Sequence, residues 1–111
     1  MQPESPALLW DARDAATRVA TFIEGLDEDA YTRDPLRRSA VERQLEIIGE
    51  SLNNLRKYDP PLAAEIPDLN RIIGLRNILA HAYAVVDDSV VWSAAHSRVP
   101  ELLVRINELL A

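Results

Sequence analysis

Apolar residues recur at three- and four-residue steps through most of this 111-residue chain, and no stretch alternates in the two-residue rhythm of a strand. Such a pattern builds helices with one apolar side, and those sides must bury against one another. Val41, Leu45, Ile48, Leu52 and Leu55 give the cleanest case. A chain of this length supports a single core, so residues 1–111 are read as one domain. The fold class that follows is all-α: an antiparallel bundle of four main helices plus a short helical turn, the last helix kinked.

Prolines and short polar residues set the helix ends. The first helix is expected from about Pro6 to Glu24, with Ser5 as N-cap and Pro6 at the first helical position. Leu8, Ala12, Ala15, Val19, Phe22 and Leu26 mark its inner side. Gly25 and the acidic GLDEDAYTRD stretch end it and form a loop. Asp34 caps a second helix that Pro35 opens and that reaches about Leu55. Pro60, Pro61 and Pro67 then forbid a long helix and leave one turn around Leu62 to Glu65. Asp68 caps a helix starting at Leu69 and ending between His81 and Ala84. Asp87 or Asp88 caps the last helix, where Pro100 predicts a kink near His96 to Val99.

The stretch from Leu69 to Tyr83, LNRIIGLRNILAHAY, departs from plain core patterning. Leu69, Ile72, Ile73, Leu79 and Ala80 mark a buried stripe, yet Arg76 lies on it. A guanidinium stays charged and is costly to bury, so Arg76 calls for a carboxylate or an interface cleft. Asn70, Gly74, Asn77 and His81 share a second stripe, while Arg76 and Tyr83 share the first. Arg76 and His81 are thus about 140° apart on an ideal helix. They meet at one reacting atom only if the helix stops near Ala80, if the Arg side chain reaches around, or if a second copy supplies one of them.

These residues carry a resemblance. Arg76, Asn77, His81 and Tyr83 spell R-N-x-x-x-H-x-Y, which resembles the signature of the HEPN superfamily and its HepT-like branch. IIGES at Ile47 to Ser51 and VVDDSVVW at Val85 to Trp92 are similar to further elements of that family. The likeness spans about Leu8 to Leu110; the Pro-Trp pair that often precedes this helix in the family is replaced by IPDLNRII. The resemblance implies a HEPN-like bundle and a metal-independent endoribonuclease acting as a homodimer, with Arg76 and His81 at the reacting phosphate. It also implies the toxin half of a type VII-like toxin-antitoxin pair. Its partner would be a minimal nucleotidyltransferase antitoxin that transfers AMP to Tyr83. The rival reading is a non-catalytic HEPN module that docks a nucleotidyltransferase or a nucleotide.

The residue chemistry suits the first reading. RNA carries its own nucleophile, the 2'-hydroxyl, so a base, an acid and a charge-stabilising donor suffice. An imidazole such as that of His81 titrates near neutrality, and the fork of Arg76 can grip a phosphate oxygen. Asn77, one turn before His81, can orient the imidazole or the phosphate. Taken alone, a His at the end of an apolar helix reads as structural, and Tyr83 as a packing ring. Glu42, Glu46 and Glu50 stand one turn apart opposite the apolar face of their helix. Such a row can serve acid-base or metal chemistry, but a solvated face with Arg43 pairing locally is the simpler reading. Glu50, in the GE pair, is the member that would support the site by neutralising Arg76. His96 reads as a surface residue, and Trp10 and Trp92 as core or dimer contacts.

The net charge of -6 opposes general nucleic-acid binding. A local cleft could still be basic, and Arg33, Arg37, Arg38 and Arg43 cluster in sequence, although a solvated helix surface is the simpler reading of them. With no cysteine there is neither a disulfide framework nor a thiolate metal site, and no cofactor or metal is implied. The start MQPESPALLW lacks a signal-peptide pattern and no window is apolar enough to span a membrane, so a cytoplasmic location is expected.

Overall fold

The computed structural model describes residues 1–81 and 86–111. In order these form α1 (Ser5–Phe22), α2 (Glu28–Thr32), α3 (Pro35–Tyr58), α4 (Pro60–Ala63), α5 (Leu69–His81), α6 (Asp88–Ser93), a π-helical turn (Ala94–Arg98) and α7 (Val99–Leu110). The all-α expectation holds. The core is built where α1, α3 and α7 meet. Leu9, Ala12, Ala16 and Val19 from α1 face Val41, Ile48, Leu52 and Leu55 of α3, with Leu102 and Ile106 of α7 alongside. The alanines of α1 matter here, because short side chains let neighbouring helix axes approach closely and pack without voids.

Several ends fall where the capping chemistry puts them. The Asp34 carboxylate accepts from the Arg37 N–H at 3.0 Å and Pro35 opens α3. The Asp87 carboxylate accepts from the Ser89 N–H at 2.9 Å to start α6. Pro100 has no N–H, so the ladder cannot continue in α register. The chain answers with the π turn, in which the Val99 N–H donates to the Ala94 carbonyl, five residues back. This widened turn lies where the kink is expected, around His96 to Val99.

Three expectations need correction. Ser5 is not the cap of α1: it is buried inside the first turn, and its hydroxyl donates to the Asp59 carboxylate at 2.7 Å. Asp59 binds the chain's start to the head of α4, accepting also from the N–H groups of Gln2 and Leu62. The stretch after Gly25 is not all loop, because Asp27 caps α2 and Tyr31 on that helix is wholly buried. Asp68 precedes α5 in left-handed backbone, φ 58°, and its carbonyl rather than its carboxylate receives the N–H groups of Arg71 and Ile72.

The placement of α5 decides the rest. Arg56 near the end of α3 donates to the Asn70 side chain at 3.1 Å, while Gly49, two turns earlier on α3, lies under Arg76. As α3 numbers fall, α5 numbers rise, so the two helices are antiparallel. Ile73 is the one fully buried residue of α5. Leu69, Ile72, Leu75 and Leu79 are only partly covered, so this helix flanks the bundle instead of filling its centre.

Candidate active site

Arg76 reaches the surface by a route that Gly49 makes possible. A Cβ built on Gly49 would collide with the Arg76 Cβ and stand 2.8 Å from its Cγ and 3.3 Å from the Ile72 carbonyl oxygen. The aliphatic stem of Arg76 thus lies on bare α3 backbone, covering apolar surface while its charged end stays wet. At that end Nη1 donates to the Asn77 Oδ1 at 3.0 Å. Asn77 and His81 are both exposed, one turn apart on the same stripe. The guanidinium therefore meets the Asn77 amide at the surface, one turn before His81.

Glu50 is exposed and lines a shallow depression between α1 and α3 with Asp11, Asp14, Arg18 and Asn54. Among the described residues it forms no ion pair with Arg76. Tyr83 lies outside the described residues. The carboxylate that shares the side of α3 facing α5 is Glu42, seven residues before Gly49 and about 20° from it around the helix. It is half-buried, and its carboxyl is held above the usual range, first by burial and then by Asp88; Arg38 pulls the other way and Glu46 adds to the rise. Next to it, Arg38 bridges to Asp88 at 3.1 Å and ties the head of α6 to α3. The buried Tyr31 hydroxyl in this cluster is pushed up by burial and by the Glu42 and Asp88 charges. The heptad step from Gly49 was the available signal for Glu42.

The other expected candidates resolve into packing. Arg33, Arg38 and Arg43 pair with Asp29, Asp88 and Glu46, and Arg37 donates to the Phe22 carbonyl, so the basic run is consumed locally. His96 is exposed and stacks on Trp92, ring centroids 5.1 Å apart, and Trp92 meets Tyr31 at 5.5 Å. Trp10 is no core residue: it is 58% exposed, with the Arg13 guanidinium 3.8 Å above its ring. Among the described residues, no group of three or more His, Asp or Glu side chains is arranged to hold a metal ion. No described helix is long and apolar enough to cross a membrane.

Fold and site together define a small all-α bundle that displays an Arg, Asn and His set on a flank helix. A family described as ribonuclease HepT-like matches residues 12–109, and the chain belongs to that HepT-like ribonuclease family. Its relatives agree. A protein of Caldanaerobacter subterraneus subsp. tengcongensis, whose given name assigns it to the RNases, is 32% identical over 79% of this chain and 78% of its own. A similarly named protein of Methanocaldococcus jannaschii is 31% identical over 86% of this chain and 87% of its own. One of Thermococcus cleftensis, named as a ribonuclease HepT, is 31% identical over 91% of both chains. No solved structure matches the chain significantly.

Proposed function

We propose that the protein is a metal-independent endoribonuclease whose working groups are Arg76, Asn77 and His81. Membership of a ribonuclease family gives RNA as the substrate class. The observation that carries the reading is the hydrogen bond that sets the Arg76 guanidinium beside Asn77, with the exposed His81 one turn further along the Asn77 stripe. In the proposed reaction the 2'-oxygen of RNA attacks the adjacent phosphorus, a P–O bond to the 2'-oxygen forms, and the bond to the 5'-oxygen breaks. His81 takes the proton from the 2'-hydroxyl, the departing 5'-oxygen is protonated from the resulting imidazolium or from water, Arg76 neutralises charge building on the phosphate oxygens, and Asn77 orients the guanidinium. Removing the imidazole with His81→Ala should slow cleavage by about 10²- to 10⁴-fold while leaving helix content unchanged. Retained activity would take His81 out of its role.

The assembly proposed is a two-fold dimer in which copies of the α5 stripe face a common gap, located in the cytoplasm. The helical wheel supports it, since Arg76 and His81 are about 140° apart on one ideal helix and a second copy can bring its own α5 stripe to the same gap. The protein is the toxin of a toxin-antitoxin pair in this reading. Its nucleotidyltransferase partner silences it by joining AMP from ATP to the Tyr83 oxygen, with pyrophosphate leaving. The added charge and bulk two residues from His81 would repel RNA.

A further inference from the structure

Most basic side chains are already engaged. Arg18, Arg33, Arg38, Arg43 and Arg105 meet carboxylates, Arg37 meets a carbonyl, and Arg13 lies on Trp10. Arg71 on α5 and Arg98 at the end of the π turn have no carboxylate partner among the described residues. Both line one groove of about 510 Å³ between α5 and α6, floored by Leu75, Ile78 and Val90. Ile78 and Val90 are 50% and 53% exposed, so this floor is open. Arg71 also walls the neighbouring concavity, about 570 Å³, together with Arg56 and one carboxylate, Asp68. Arg56 itself is held by the amides of Asn53 and Asn70 and not by an ion pair. From Leu69 to Val86 the sequence has no Asp or Glu at all. On a chain of net charge -6, this is where positive charge outnumbers negative.

We propose that Arg56, Arg71 and Arg98 form a phosphate track that holds single-stranded RNA along this groove, separate from the reacting phosphate at Arg76. The proposal rests on the ribonuclease reading and names the surface that reading needs on an acidic protein. The groove leads the right way: Ile78 on its floor is one turn from His81, and Arg71 is about 15 Å from His81 along the helix. Arginine forks bind phosphate oxygens without regard to sequence, and the apolar floor accepts bases. The π turn contributes by adding one residue to the ladder, which shifts the register around Arg98 by about 100°. A second copy of this chain fits the groove poorly. In a two-fold contact the same patch faces itself, and the groove lining offers Arg71 and Arg98 no carboxylate to meet.

The test is fluorescence anisotropy of a labelled single-stranded oligonucleotide bound to the full chain across a salt series. It compares wild type with Arg71→Ala, with R71A/R98A, and with R18A/R33A, which removes the same charge from paired surface positions. The track predicts about tenfold or more weaker binding for R71A/R98A and a salt slope shallower by about 1.4, two phosphates at about 0.7 each. Arg71→Ala alone should give about half that change in slope, the control pair no change, and in cleavage the loss should fall on KM. A slope equal to wild type, or an equal loss in R18A/R33A, would overturn the track, as would a shift in oligomeric state with RNA binding intact. RNA binding with the expected slope but no cleavage by the wild type would leave the track standing and remove the ribonuclease reading instead.

Discussion

At Gly49 there is no room for a methyl group, since its place is taken by the stem of Arg76. The collision is with a Cβ, which cannot swing aside, so α5 itself must move. Gly49→Ala should therefore cost about 1–3 kcal/mol by overpacking, read as a lower urea midpoint. An unchanged midpoint would mean that the two helices are not in such close contact. Glu42 and Asp59 give stability a signed pH dependence. Burial, with Asp88 next, raises the Glu42 carboxyl, so its ionisation weakens the fold as pH rises through the raised value, and that cost is fully present above it. Asp59 is lowered, chiefly by the Gln2 N–H and then by the Ser5 hydroxyl, so its contribution is present above the unfolded value and is lost as pH falls through the lowered one. Glu42→Gln should raise Tm at pH 7 and lose that advantage near pH 4; an equal gain at both would assign it to packing. The sequence pointed to Glu50 through its GE pair. Which carboxylate faces α5 depends on which side of α3 that helix takes, and one strand of sequence does not contain that choice.

At the scale of elements, the legible ends were those where cap and helix are neighbours in sequence. Asp34 with Pro35, Asp87, and Pro100 with its widened turn all act within one helical turn. Ser5 defeated the same reasoning because its partner, Asp59, lies 54 residues away. Helix α2 was missed for a related reason: it offers a single anchor, Tyr31, and five residues are too few for a period to show. Helix α5 was read as a core helix, yet only Ile73 is fully buried, because α3 covers one side of it and little covers the other. That uncovered side sets up a test at Gly74. Gly74→Ala should stabilise the subunit by about 1 kcal/mol, since alanine fits the open space and favours helix. Gly74→Leu should leave the subunit folded but fill part of the groove that Gly74 lines with Arg71 and Arg98, and so weaken RNA binding. A leucine variant that binds RNA as the wild type does would contradict the track.

For the molecule as a whole, periodicity was enough to specify an all-α bundle, since helices with single apolar sides have few other ways to bury them. The active side was less legible. Arg76 and His81 are about 140° apart on a helical wheel, and neither the close approach of Arg76 to the bare backbone of Gly49 nor its bond to Asn77 is written in that spacing. An acidic protein can then act on a polyanion if its charge is unevenly spread, as the carboxylate-free run from Leu69 to Val86 makes it. The central claim is cleavage by RNA's own 2'-hydroxyl at that exposed set. It is tested most directly by incubating the protein with RNA in excess chelator and analysing the new ends. Undiminished cleavage leaving 2',3'-cyclic phosphates is the predicted result; cleavage that stops without divalent metal, or that leaves 5'-phosphates, would contradict it.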